Sequence, residues 1–323
     1  MEKKIWITWE NHRRSIEIAK ALNAKIFIIE SHLPRFIRYI VNVVKTIYIL
    51  LKEKPNIVFV QNPSIVLSAL TCSLKKILKY KLVVDRHTNF KIGRKIINIS
   101  HLIFEFLSNY TIKSADLTIV TNNYLKLFVK KKGGNSFVLP DKIPFLQQKD
   151  KFKIFGKYNV AFICTFSDDE PFFDVIISVL NLPNDIYVYI TGDYNKYLKK
   201  IPNKIPDNIV FTGYLPEQDY IDLLFSVDVI IDFTELDWCL VCGGYEAMAA
   251  DKPFITSNKK ALRDFYTSGT VFCDHGPDNI SSAIINVFNN LNKFQNEIKS
   301  LKINKNYKWL NDFVKLNKVL RDL

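Results

Sequence analysis

Short apolar runs alternate with longer amphipathic stretches along most of the chain. Ile5-Trp-Ile-Thr8, Lys25-Ile-Phe-Ile-Ile29, Asn56-Ile-Val-Phe-Val60, Leu82-Val-Val-Asp-Arg-His-Thr88 and Leu117-Thr-Ile-Val120 read as strands. Between them, 15–22, 33–52, 64–78, 96–114 and 122–131 read as helices, the last stopping at Gly133-Gly134. Strands that alternate with helices build βαβ units and a parallel sheet. Phe137-Val-Leu-Pro140 closes a first domain, and from Pro140 to Phe155 the periodicity lapses, which predicts a linker. The alternation resumes with strands at 159–164, 187–193, 209–213 and 270–272, helices near 172–181 and 278–291, and an amphipathic stretch over 307–320. The expected fold class is α/β, with two Rossmann-like domains over 1–145 and 146–305 and a closing helix over 306–323.

The 323 residues, 48% of them hydrophobic, suffice for two cores. No apolar run approaches the roughly 18 residues of a membrane span, and Met1-Glu-Lys-Lys-Ile-Trp6 leads into a strand rather than a signal peptide. A cytoplasmic protein is expected. Five scattered cysteines suit reduced, buried thiols; Cys239-x-x-Cys242 lacks the second ligand pair of a zinc site, so neither metal nor cofactor is expected.

The net charge of +13 is unevenly shared: residues 1–150 carry +16 and residues 151–323 carry −3. Such a half points to anionic lipid, a lipid-phosphate acceptor or nucleic acid, or to a lysine-rich solvated surface, as Lys130-Lys-Lys132 reads. The lysines are not organised around exposed aromatic side chains, which argues against nucleic acid. Residues Leu33–Lys52 combine a wide apolar arc with Arg35, Arg38, Lys45 and Lys52. Two readings fit: an inner helix packed on the sheet, or an amphipathic helix resting on anionic lipid at the inner membrane face.

In an open parallel sheet, ligands collect beyond the carboxyl ends of the strands. His12, Arg13 and Arg14 follow the first strand, Gln61 and Asn62 the third, and Asp85, Arg86 and His87 the fourth. A histidine beside an acid there is placed for proton transfer or for holding a hydroxyl or phosphate; a structurally satisfied histidine is the plain alternative. In the second half, Thr165 or Ser167 could bond a phosphate while Asp168 to Glu170 cap the next helix. From Asp228 a strand runs into a loop with Glu235, Asp237 and Trp238, then Gly243-Gly244 and a helix over Tyr245–Ala250, stopping at Lys252-Pro253. This order reads as a phosphate-binding turn, in which two glycines let a diphosphate meet bare helix-start amides. Glu246 in that first turn would hold a ribose diol or simply cap the helix.

The run Gly244-Tyr-Glu-Ala-Met-Ala-Ala-Asp-Lys-Pro-Phe-Ile-Thr-Ser257 resembles the Glu-Ala-Met-Ala signature of GT-B glycosyltransferases of the family 4-like group (glycosyl transferases group 1). Ile190-Thr-Gly-Asp193, Asn208 to Pro216 and Leu224 to Ile231 follow that family's donor domain in the same order. The resemblance implies two domains facing a central cleft, a nucleotide sugar in the C-terminal half, and a glycan or lipid-linked acceptor in the basic N-terminal half. It also implies retaining, metal-independent transfer. The nucleotide sugar would meet Gly243, Gly244, Tyr245, Glu246, Thr165 and Asp193, with Tyr214 where relatives seat the base. His87, Asp85 and Asp237 would form the catalytic group, and His12, Arg13, Arg86, Gln61 and Asn62 would bind the acceptor. Trp238 stands where the family usually has a glutamate, and the first donor-domain loop carries no clear Arg/Lys pair. Two alternatives stand beside this reading: a sugar-nucleotide epimerase of the same fold, and an inactive basic protein binding membrane or nucleic acid.

Overall fold

The computed structural model describes residues 2–31, 33–62, 64–87, 99–197 and 205–323, which divide into two compact units, 1–142 with 309–323, and 143–308. Among the described residues each unit holds one six-stranded parallel sheet. The α/β architecture of two Rossmann-like domains expected from the sequence is the one observed.

The first unit runs β1 (Lys4–Thr8), α1 (Arg13–Ala21), β2 (Lys25–Ile28), α2 (Arg35–Glu53), β3 (Ile57–Gln61), α3 (Ile65–Leu78), β4 (Lys81–Asp85), α4 (Ile99–Ser114), β5 (Leu117–Val120), α5 (Asn123–Lys131) and β6 (Ser136–Val138). Its strand order is β2-β1-β3-β4-β5-β6. Ile5, Ile7, Val58, Val60, Leu82 and Val84 pack to one side of the sheet with Leu50 of α2 and Leu67 of α3. Trp6, Phe59 and Val83 pack to the other with Ile18 of α1 and with Trp309 and Leu316. Burial on both faces explains why these strands read as continuous apolar runs. The expected strand over 82–88 ends at Asp85, and Thr88 lies outside the described residues, as do 96–98 of the helix expected from 96. Asn122 caps α5 by accepting from Leu125 N at 3.0 Å, and Gly133 leaves it at φ +83°, a conformation that favours glycine.

The second unit runs β7 (Tyr158–Phe162), α6 (Phe172–Ser178), β8 (Ile186–Thr191), β9 (Ile209–Gly213), α7 (Glu217–Ser226), β10 (Val229–Asp232), α8 (Cys242–Ala249), β11 (Phe254–Ser257), α9 (Lys260–Phe265), β12 (Thr270–Cys273) and α10 (Pro277–Asn289). Its strand order is β12-β11-β10-β7-β8-β9. The stretch after Lys142 is not a loose linker: Ile143 is buried, and Lys149 N and Phe152 N donate to Asp222 Oδ1 at 2.8 Å and Ser226 Oγ at 3.0 Å. The closing helix α11 spans Leu291–Arg321 and so starts well before the expected 306. No described helix is long and apolar enough to cross a membrane.

Candidate functional site

In the first unit the strand order reverses between β1 and β3, and a crevice opens at such a point beyond the strand ends. Thr8, Gln61 and Asp85 are the last residues of β1, β3 and β4. Thr8 Oγ1 donates to Gln61 Oε1, while the buried Gln61 Nε2 has no hydrogen-bond partner. His12 caps α1 by accepting from Arg14 N at 3.2 Å, which turns Arg14 inward. The Arg14 guanidinium reaches Asp85 Oδ1 through Nη2 at 2.7 Å and Asp85 Oδ2 through Nε at 3.0 Å, and also bonds Leu139 O at 3.0 Å and Asp141. Burial alone would raise the Asp85 carboxyl, but Arg14, with help from His87, reverses this and holds it well below the usual carboxylate range.

Ionised Asp85 sits 3.3 Å from His87 Nδ1, and the His87 ring lies 4.8 Å from that of His12. Burial lowers the His12 pKa, and neighbouring His87 lowers it further. The strand end thus assembles Asp85, His87, His12 and Gln61; His87 Nδ1 approaches the Asp85 carboxylate as a charge contact and makes no hydrogen bond. Arg86 does not join them. It is buried against α4, donating to Ser108 Oγ at 3.0 Å, Thr111 Oγ1 at 2.8 Å and Asn62 Oδ1 at 3.3 Å. Arg86 and Asn62 therefore brace the sheet rather than reach for an acceptor. Arg13 is exposed one residue before the inward-turned Arg14.

In the second unit the order reverses between β7 and β10. The loop after β7 wraps its own acid: Glu170 Oε2 accepts from Thr165 N at 2.9 Å and Ser167 N at 3.0 Å, and Oε1 accepts from Thr165 Oγ1 at 2.9 Å. The Thr165 hydroxyl expected to meet a phosphate is thus engaged by Glu170. Asp169 accepts from Thr234 Oγ1 at 2.7 Å. Ser257 Oγ lies 2.8 Å from His275 Nε2, and His275 Nδ1 lies 3.6 Å from Glu235 Oε1, joining the ends of β11 and β12 to the loop after β10. Asp193 is exposed and accepts from Asn195 Nδ2 at 2.9 Å, while Tyr214 is 89% exposed.

The glycine turn differs most from expectation. Helix α8 begins at Cys242, so both glycines are inside it, and both are buried. Gly243 N donates to Asp232 Oδ2 at 2.7 Å, and a Cβ at Gly243 would come within 2.6 Å of Asp232 Cβ. A Cβ at Gly244 would collide with the Tyr266 ring. These glycines permit close helix packing; they do not present bare backbone to a diphosphate. Tyr245 is likewise a core residue, against Phe265 at 5.3 Å and Tyr266 at 6.2 Å. Glu246 is nearly buried and accepts from Tyr220 Oη at 2.6 Å. Asp237 is exposed and pairs with Lys259 Nζ at 3.4 Å, and Trp238 beside it is buried.

Asp232, His275, Lys259 and Tyr220 escaped the reading of the sequence as site residues, and Arg14, placed there with His12 and Arg13 at a strand end, proves to be the buried partner of Asp85. Asp232 had a signal: it ends the apolar run Val229-Ile-Ile as Asp85 ends Leu82-Val-Val, and an acid closing a buried strand points at a strand-end site. Among the described residues no group of three or more His, Cys, Asp or Glu side chains is arranged to hold a metal ion. Cys239 is half-buried and Cys242 exposed, neither in a disulfide.

No family model matches the chain. A 68-residue stretch is 34% identical to YtcC of Bacillus subtilis (strain 168), a protein named as a glycosyltransferase; the match spans 21% of this chain and 17% of that protein's length. Over nearly the whole chain the fold is that of solved structures at low identity. Anabaena Alr3699/HepE in complex with UDP-glucose matches with a TM-score of 0.73 at 11% identity, over 98% of this chain and 92% of that one. The sucrose-phosphate synthase of Thermosynechococcus elongatus matches with a TM-score of 0.77 at 11% identity, over 99% and 98%. A Listeria monocytogenes protein named as a UDP-N-acetylglucosamine 2-epimerase matches with a TM-score of 0.61 at 12% identity, over 92% and 91%. At these identities the likeness establishes the GT-B type of fold.

Proposed function

We propose that the chain is a glycosyltransferase that moves a sugar from a nucleotide-sugar donor to a glycan or lipid-linked acceptor. The observation that carries this reading is the whole-length agreement in fold with a structure holding UDP-glucose. Polar groups gathered at the strand-order reversal of each sheet support it. The second unit takes the donor. Glu246, on the first turns of α8, accepts from the ribose hydroxyls, with Tyr220 fixing its carboxylate. Because Gly243 already donates to Asp232, the diphosphate is met instead by the cation at the end of β11, Lys259, drawn from its exposed partner Asp237.

The first unit takes the acceptor. His87, set 3.3 Å from the buried Asp85–Arg14 pair, handles the proton of the acceptor hydroxyl, and the orphan Gln61 Nε2 offers a donor beside it. Transfer with retention and without metal is part of this reading, as is Asp237 standing in for the family glutamate. The likeness to the Listeria protein favours a second reading, a sugar-nucleotide epimerase. A melting-temperature screen of nucleoside diphosphates and their sugars finds the donor, since a ligand of the folded state raises the midpoint. Incubating that donor with and without a candidate acceptor separates the readings. Product that forms only with acceptor supports transfer, and isomerised donor without acceptor supports epimerisation. No stabilisation by any nucleotide counts against both.

A further inference from the structure

Helix α2 is turned with its polar stripe inward. Asn42, Thr46, Leu50 and Glu53 are its buried positions, with Trp9 Nε1 donating to Thr46 Oγ1 at 3.0 Å and Asn42 Nδ2 to Ile29 O at 3.4 Å. The opposite stripe, Phe36, Ile37, Ile40, Val44, Tyr48 and Leu51, faces solvent, Phe36 at 78% exposure and Tyr48 at 61%. These positions recur at helical spacing, so they form one continuous apolar band. Helix α4 repeats the arrangement: Ile99, Leu102, Ile103 and Phe106 are exposed at i, i+3, i+4 and i+7, while Ser108 and Thr111 turn inward onto Arg86. Helix α3 packs beside both α2 and α4, and its Ile77 is 73% exposed. Contiguous apolar surface of this extent marks a binding face.

The charge on these helices selects the partner. Arg35, Arg38, Lys45 and Lys52 are exposed along α2 and Lys76 on α3, whereas Lys75 is held by Asp116 at 2.9 Å. The acids of the three helices are Glu53 and Glu105, and Glu53 is held by Lys3 at 2.8 Å and Lys25 at 2.7 Å. We propose that the α2–α4 face docks on an anionic lipid bilayer, the apolar bands entering the headgroup and acyl boundary and the basic side chains meeting lipid phosphates. A second copy of the chain would set the same cations against one another. Nucleic acid would leave the aliphatic bands without a partner. Crossover helices of a parallel sheet start at its carboxyl end, so Phe36 and Ile99 lie towards the end that carries His12, Gln61 and Asp85. Docking would bring that end close to a lipid-held acceptor, yet lipid binding holds whether or not the chain transfers sugar.

The test is sedimentation of the full chain with phosphatidylglycerol/phosphatidylcholine vesicles and with pure phosphatidylcholine vesicles, alongside hydrogen exchange of the unmodified chain. Retention on the anionic vesicles, release by salt, and slowed exchange over 36–51 and 99–106 are expected. The exposed double variant Phe36→Ser/Val44→Ser should bind the anionic vesicles at least about tenfold less, two large apolar side chains having been withdrawn from the acyl boundary. Equal retention on neutral vesicles, absence of retention, or wild-type binding by the double variant would overturn the proposal. So would protection of the same helices by self-association or by DNA in place of lipid.

Discussion

The Asp232 carboxylate accepts the Gly243 amide at 2.7 Å, so the start of α8 is met by the protein's own acid. Burial raises the Asp232 carboxyl well above its usual range, the Gly243 amide opposes this, and nearby Glu170, Glu246 and Asp169 raise it further. A carboxyl raised in the folded state gives stability that is complete below the unfolded value of about 4 and is lost as pH rises through the folded value. Asp232→Asn keeps an acceptor for Gly243 but cannot ionise. Its unfolding free energy should fall less between weakly acid and neutral pH than that of the wild type, as read by urea titration. An unchanged pH slope would show that Asp232 is ionised throughout.

The Arg14–Asp85 pair shifts in the opposite sense. Burial would raise Asp85, and the charge of Arg14 prevails and lowers it, so the stability from the pair is present above about pH 4 and is lost as pH falls further. Asp85→Asn leaves the buried Arg14 guanidinium with the partly exposed Asp141 as its remaining acid and should cost up to about 3–5 kcal/mol. Arg14→Met/Asp85→Leu, which removes both charges, should recover a large part of that. Urea unfolding followed by the summed fluorescence of Trp6, Trp9, Trp238 and Trp309 measures both; a double variant no better than Asp85→Asn would argue that other contacts dominate.

Glu246→Ala should weaken nucleotide-sugar binding at least tenfold, because hydrogen bonds to a charged group contribute about 1.5–3 kcal/mol each. Tyr220→Phe removes the 2.6 Å bond that fixes the carboxylate and should weaken binding less. Calorimetric titration with UDP, on variants whose melting temperature is retained, separates lost binding from lost folding. Full affinity in Glu246→Ala would remove the ribose assignment.

The alternation of apolar runs and helical spacing made both parallel sheets legible, because fully buried strands carry their own signature. Three things were not. Helix α2 shows a wide apolar arc in sequence, but which stripe is buried depends on Trp9 and Ile29 receiving Thr46 and Asn42, partners no local pattern reveals. The stretch over 140–155 has no period because backbone amides pin it to Asp222 and Ser226 far along the chain. Gly243-Gly244 suggested open backbone because glycine allows close approach by ligand and protein alike; here Asp232 and Tyr266 approach. The Asp85–His87 pair was readable because both lie at one strand end. The pairing of Arg14 with Asp85 was not, because it depends on the His12 cap two residues earlier turning the side chain inward.

The last distinction can be tested at Gly244. A Cβ there would strike the Tyr266 ring, which is fully buried among Phe254, Phe265 and Tyr245 and donates through Oη to Val241 O at 3.1 Å. The ring has no room to give way, so Gly244→Ala should destabilise the second unit by about 1–3 kcal/mol, the usual cost of overpacking a core. Tyr266→Leu opens space at that spot, and the double variant should therefore lose less than the sum of the two single changes, a coupling that only residues in contact display. Nucleotide affinity per folded molecule should stay at the wild-type level, since packing rather than a diphosphate occupies the Gly244 position. The contrary result, wild-type stability with lost nucleotide affinity, would return Gly244 to the part of bare backbone against a phosphate.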